Sequence, residues 1–191
     1  MTPQRIVVGV TGSIGAALSP AVVSAIRALW RAETRVVMTA SAAQFVTPTA
    51  LAVASGSPVL AGGAESGADG RVPHMELARW ADLVLVVPAT ANTLAAVATG
   101  AAPNLLTTMI LATRAPVVVV PSMNEAMWTK PAVQRNVRTL RGDGIGGIEP
   151  VRGHSAVDGQ LVLGAMPPVP DVLAQVSSWL ARTGGELAHA S

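Results

Sequence analysis

The chain contains no cysteine, no tyrosine, a single phenylalanine (Phe45) and a single lysine (Lys130). Without thiols there can be no disulfide framework, no thiolate metal site and no cysteine nucleophile. Charge is also scarce. Asp, Glu, Lys and Arg make up 13% of the 191 residues, and the formal net charge is +2. The isoelectric point of about 10.4 reflects how little titrates between neutral pH and arginine, not a basic surface. With no Lys/Arg cluster and few aromatics, nucleic acid is not an expected partner. The three histidines, His74, His154 and His189, lack the spacing of a metal triad, so no metal is expected.

Unbroken hydrophobic runs of membrane-spanning length are missing too. Residues 83–113 carry no charge, but Pro88, Asn92, Gly100, Pro103 and Asn104 interrupt them. They read as a strand, a turn and buried helices, and no membrane partner is expected. Thr2-Pro-Gln-Arg5 leads straight into a strand, so the reading is no secretory signal and a cytoplasmic location.

What is present is apolar: half of the residues are hydrophobic. So few charges on so apolar a chain predict surface buried in an oligomer, the alternative being an alanine-rich monomer. The length suits one domain, residues 1–182, followed by a flexible tail at 183–191.

Ile6-Val-Val-Gly-Val10, Arg35-Val-Val-Met38, Val84–Val87 and Pro116-Val-Val-Val-Val120 are short β-branched runs separated by helical patterns. Continuous apolar strands covered on both faces belong to parallel sheets. The expected fold is α/β, a doubly wound parallel sheet of Rossmann/flavodoxin-like type, in a single domain. Pro88 is expected to end its strand, and a helix is expected to follow the Pro121–Trp128 turn and run to about Arg141. Residues 61–73 read as a Gly-rich mobile loop. Residues 150–163 read as irregular, with a hairpin around Asp158-Gly159, and 169–182 as a closing helix.

Three strand ends carry hydroxyls and backbone donors: Gly12-Ser13-Ile14, Thr39-Ala40-Ser41 and Thr90-Ala91-Asn92-Thr93. Such turns bind phosphate, because unsatisfied N–H groups converge there with the positive end of a helix dipole. Neither a Walker A loop nor a dinucleotide Gly-x-Gly-x-x-Gly is present, so a mononucleotide such as FMN fits better than either of their ligands, the alternative being ordinary βα turns. Met123 and Asn124 follow another buried strand and could equally cap the next helix. His74 stands before an amphipathic helix, where a histidine is commonly a cap or a surface residue.

Two longer patterns decide between these readings. Pro88-Ala-Thr-Ala-Asn-Thr93 and Pro121-Ser-Met-Asn-Glu-Ala-Met-Trp128 resemble the paired signatures of the homo-oligomeric flavin-containing cysteine decarboxylases. Gly12-Ser13, Thr39/Ser41 followed by Phe45, His74 and Gly164-Ala165-Met166 fall in the same order. The resemblance implies FMN bound at a subunit interface of a homotrimer, with trimers assembled into a homododecamer. It implies FMN contacts from Gly12, Ser13, Ile14, Thr39, Ser41, Phe45, Thr90, Ala91, Asn92, Thr93 and Ser122. It also implies His74 as acid/base on a substrate cysteine, Asn124 on the substrate carboxylate, and Met123 and Met127 beside the substrate. The reaction implied passes hydride from the cysteine side chain to flavin and releases CO2 from the resulting thioaldehyde, leaving an enethiol.

Members that act on phosphopantothenoylcysteine carry a cysteine before the Gly-Ala-Met stretch, which reduces the enethiol and recycles the flavin. This chain has none. The resemblance therefore points to the peptidyl-cysteine (lantibiotic-type) branch, which decarboxylates the C-terminal cysteine of a ribosomal precursor peptide during natural-product maturation. The alternatives are a phosphopantothenoylcysteine decarboxylase of coenzyme A biosynthesis, a flavin prenyltransferase and a non-catalytic FMN-binding regulatory protein.

Overall fold

The computed structural model describes residues 2–61, 72–154 and 158–189, with side chains as far as 183. Its main sheet is parallel. β1 (Arg5–Val10), β2 (Glu33–Met38), β3 (Leu60–Ala61), β4 (Leu83–Ala89), β5 (Val117–Pro121) and β6 (Gly146–Gly147) stand in the order β3-β2-β1-β4-β5-β6. β4 is buried along its whole length. Its alternate side chains enter two separate cores, as the period of two requires. Leu83, Leu85 and Val87 join Ile6, Val8 and Val10 on one face, while Val84 and Val86 join Val7 and Val119 on the other.

The first face is covered by α1 (Ser19–Trp30), α2 (Pro48–Ser55) and α8 (Val169–His189) through Val22, Ile26, Leu51, Val172 and Val176. The second is covered by α3 (Pro73–Trp80), α4 (Ala91–Ala98), α5 (Leu105–Ala112) and α7 (Pro131–Gly142), through Leu77, Leu94, Leu106, Met109, Val137 and Leu140. Leu106 and Met109 are fully enclosed, and truncating either to alanine would cost about 2–5 kcal/mol. The expected doubly wound α/β fold is therefore present.

Several boundaries differ from the sequence reading, each for a local reason. The turns after β1 and β2 open as 3-10 helices, Ile14–Leu18 and Ala40–Gln44. Pro20 sits in the first turn of α1, where its missing N–H costs nothing. Pro88 does not end β4. The ladder shifts register between Val86 and Ala89, then resumes as Ala89 pairs with Pro121. A proline lacks the donor that a regular ladder needs, and the irregularity absorbs that loss.

The helix expected to reach Arg141 is α7, opened by Pro131, and the turn before it holds a short helix of its own, α6 (Glu125–Trp128). β7 (Val151–His154) and β8 (Leu161–Ala165) form an antiparallel hairpin, and Gly159 takes φ 71° in its turn. Ala61 belongs to β3 and Pro73 to α3; the rest of the supposed 61–73 loop lies outside the described residues up to residue 71. α8 continues past 182 to His189.

At the opposite end of the sheet from the strand-end turns, Asp82 accepts N–H donations from Gln4 (3.3 Å) and Arg5 (3.0 Å) and pairs with the Arg5 guanidinium at 2.7 Å. The hydrogen bond from Arg5 holds the Asp82 carboxyl below its usual range. No helix among the described residues is long and apolar enough to cross a membrane.

Candidate active site

Strand order fixes where a ligand can sit. The chain winds outward from β1 through β2 to β3, then returns to β4 and winds the other way, so β1 and β4 flank the switch point. A crevice opens at their carboxyl ends, because the connections leave in opposite directions. Thr11–Ser13 and Thr90–Thr93 occupy those two ends.

The junction is tied together by Thr11, whose hydroxyl donates to the Pro88 carbonyl at 2.8 Å and accepts the Thr90 N–H at 3.0 Å. Thr90 caps α4: its Oγ1 accepts the Thr93 N–H at 3.3 Å and lies 3.1 Å from Thr93 Oγ1. Thr39 Oγ1 and Ser41 Oγ are 3.2 Å apart at the end of β2. Ser122, buried after β5, donates its N–H to the Ala89 carbonyl at 3.1 Å.

These groups border a cavity of about 650 Å³, lined by Gly12, Ser13, Thr39, Ser41, Thr90–Thr93 and Ser122, together with Asn104, Met123 and Met127. Its size falls within the ordinary range for small-molecule sites. No lining side chain is charged. Negative charge here would be met by hydroxyls, backbone N–H groups and the first turn of α4.

Two details point to a bound phosphate or polar ring. Ser13 Oγ is buried with no hydrogen-bond partner in the protein, a state that costs about 1–3 kcal/mol unless something fills it. The hydroxyl ring also closes only because glycines stand in it. A Cβ on Gly12 would lie 2.5 Å from Ser41 Cβ and Oγ, and one on Gly15 2.9 Å from Ser122 Oγ.

A second cavity of about 340 Å³ shares Ser13, Ser122 and Met123 with the first, and adds Ile14, Asn124 and the hairpin residues Gly153, His154 and Val162–Ala165. Asn124 Oδ1 accepts the Ala126 N–H at 2.8 Å as the cap of α6. The cap fixes the amide and leaves its Nδ2 hydrogens as the donors it can offer. The hairpin is docked by backbone: Met123 N–H donates to the Gly164 carbonyl at 3.0 Å. Gly164 takes φ 124°, and a Cβ there would stand 2.0 Å from the Met123 carbonyl oxygen, so only glycine fits.

The structure thus gathers Gly12, Ser13, Thr39, Ser41, Thr90, Ala91, Asn92, Thr93, Ser122, Met123 and Met127 around one cavity, with Ile14 and Asn124 around its neighbour. Phe45 lines neither, being a partly exposed residue after the 3-10 turn. His74 lines neither; it sits half-buried in the first turn of α3. His154 and Asn104 were not among the expected site residues. Asn104 showed only its helix-capping signal, and the placement of His154 depends on the Gly164 docking. A larger, shallower depression of about 1020 Å³ lies between α1 and α2 at the opposite end of β2, away from these groups.

A model of the flavoprotein family matches residues 1–181. The chain belongs to this family of flavin-containing cysteine decarboxylases. It is 42% identical over 142 residues to the coenzyme A biosynthesis bifunctional protein CoaBC of Escherichia coli, covering 74% of this chain and 35% of that protein. It therefore spans about a third of that relative's length. Among solved structures, the FMN-dependent cysteine decarboxylase SpaF is 39% identical, with 83% of this chain and 89% of that one covered and a TM-score of 0.74. A PPC decarboxylase mutant complexed with pantothenoylaminoethenethiol is 30% identical, with coverages of 93% and 98% and a TM-score of 0.82. The flavin of this flavoprotein is FMN. The orphaned Ser13 hydroxyl and the glycine-lined cradle fit it.

Proposed function

We propose that this flavoprotein oxidatively decarboxylates the C-terminal cysteine of a ribosomally made precursor peptide, leaving an aminoenethiol. The observation that carries the reading is the complete absence of cysteine. The coenzyme A branch needs a thiol near the Gly164-Ala165-Met166 stretch to recycle its flavin. Here that wall of the second cavity carries His154 and aliphatic side chains instead. The likeness to SpaF supports the same branch. The identity to CoaBC favours the second reading, a phosphopantothenoylcysteine decarboxylase.

When bound, FMN supplies the two-electron oxidation of the cysteine side chain; the protein binds and orients. Gly12, Ser13, Thr39, Ser41, Thr90–Thr93 and Ser122 hold the cofactor, with Ile14 at its edge. The Nδ2 hydrogens of Asn124 take the substrate carboxylate, and Met123 and Met127 flank the substrate. His74 holds the thiol proton. Since His74 lines neither cavity of its own protomer, this role falls to His74 of a neighbouring subunit, within the homotrimer or homododecamer that the resemblance implies. Exposed Ile14, Leu18, Phe45, Met127 and Leu161 support burial of this region between copies.

The test is mass spectrometry on two substrates incubated in parallel: a peptide ending in cysteine and phosphopantothenoylcysteine. Loss of CO2 and two hydrogens from the peptide alone is the expected result. Turnover of the small molecule alone overturns the peptide reading. His74→Asn should abolish turnover while flavin stays bound, and full activity in that variant removes His74 from the mechanism.

A further inference from the structure

His74 stands in the first turn of α3, on the same stripe as Leu77, Ala78 and, just past the helix end, Ala81. Those three are buried in the second core. Two of them are alanines. Under a helix of eight residues, so smooth a contact does little to stop the helix rolling about its own axis. Nor does a side chain cap its N-terminus, where Val72 has no acceptor to offer.

The other end is better held. Thr113 Oγ1 donates to the Ala78 carbonyl at 3.0 Å. Trp80, which points roughly 120° round the helix from His74, lies under the Arg35 guanidinium, whose Cζ is 4.2 Å from the ring centroid. Arg35 comes from β2, beside Val7 in the parallel register, on the face where Val7 and Val37 are buried. Charge on that face is costly unless it is paired. Here Nη2 lies 3.9 Å from Glu33 Oε1, so carboxylate, guanidinium and indole form a file from β2 to α3. The planar guanidinium matches the ring in a way that an ammonium does not. Arg35 and Trp80 line neither cavity.

Resting on the role proposed above for His74, we infer that Arg35 is a positioning residue. Through its stack on Trp80 it fixes the roll of α3, and so the place at which His74 is presented to the neighbouring protomer. The leverage follows from helix dimensions. A group about 6 Å from the axis moves about 1 Å for a roll of about 10°. A misplacement of about 1 Å can cost about 10²-fold in rate.

The experiment uses the FMN-loaded protein and whichever of the two substrates above the wild type turns over. Arg35→Met keeps the apolar stem and removes the cation, Arg35→Lys keeps a cation without the planar stack, and Trp80→Leu keeps apolar bulk without the ring. Arg35→Met should lower kcat about tenfold or more while KM and bound flavin hold, and Arg35→Lys should lose less. Trp80→Leu should lose about as much as Arg35→Met, and the double variant no more than either, because both remove one contact. If Arg35→Met or Trp80→Leu fails to fold, Arg35→Lys alone carries the test, with a fall in kcat at constant KM as the expected result.

Wild-type kcat in a folded Arg35→Met overturns the inference. So does a double variant whose losses multiply, or a loss in which KM and flavin occupancy worsen in step with kcat, as general loosening of the fold would produce. His74→Asn separates the two claims. If that variant is fully active, or if the wild type turns over neither substrate, the role of His74 falls and the inference with it. If His74→Asn is inactive while Arg35→Met and Arg35→Lys match the wild type, the inference alone falls.

Discussion

Ser13→Ala should have opposite effects on the empty and the loaded protein. Ser13 Oγ is buried and has no partner within the chain. An unsatisfied buried hydroxyl costs about 1–3 kcal/mol, so removing it should leave the apoprotein as stable as before or up to about 1 kcal/mol more stable. On the proposed reading the same hydroxyl meets the cofactor in the loaded protein, and a hydrogen bond to an ionised group is worth about 1.5–3 kcal/mol. FMN should then bind roughly 10- to 100-fold more weakly. Denaturant unfolding of the apoprotein and titration of flavin fluorescence measure the two effects separately. The reasoning is refuted if the alanine variant binds FMN as tightly as the wild type. It is equally refuted if the apoprotein loses as much stability as the complex, because Ser13 would then be a structural hydroxyl and not a waiting ligand.

Three further outcomes follow from the geometry. Gly164→Ala places a Cβ 2.0 Å from the Met123 carbonyl at φ 124°, so it should lower unfolding stability by at least about 1–3 kcal/mol and raise KM by undocking the hairpin; an unchanged denaturation midpoint would count against the docking. Asn104→Ala breaks the reciprocal cap in which Asn104 Oδ1 takes the Thr107 N–H and Thr107 Oγ1 takes the Asn104 N–H, and should cost about 1 kcal/mol, with Asn104→Ser recovering most of it. Asp82 is held below its usual pKa by Arg5, so its contribution is present above the ordinary carboxylate range and lost as pH falls through the depressed value; the Tm gap between wild type and Asp82→Asn should be open at pH 7 and close in acid.

The sheet was legible because burial on both faces writes itself as unbroken valine and leucine. Val84–Val87 and Val117–Val120 needed no other signal. The cofactor turns were legible for a different reason: hydroxyls and glycines right after such strands have nowhere to point but the crevice. β3 was missed because two residues, Leu60 and Ala61, are too few to show a period. The passage of β4 through Pro88 was missed because the proline rule describes a regular ladder, and here the register shifts to accommodate it. The hairpin of β7 and β8 was half-seen through its Asp158-Gly159 turn. What sequence could not give was its docking, since that depends on the Met123 N–H meeting the carbonyl of Gly164, at a place where only glycine fits, brought together by the fold.

That docking is what joins the two cavities into one device. Ser13, Ser122 and Met123 line both, so whatever fills the first forms part of the wall of the second. The first cavity has no charged side chain and suits a fixed ligand held by hydroxyls and helix dipoles. The second adds the amide of Asn124, anchored as the cap of α6, and His154 at the end of β7. His74 belongs to neither in a single protomer. Both cavities have walls within one chain, but apolar side chains beside them stand exposed in a single protomer, and the proton chemistry proposed for His74 requires a second copy. An isolated protomer should therefore turn over no substrate, which separates folding of the chain from completion of the catalyst.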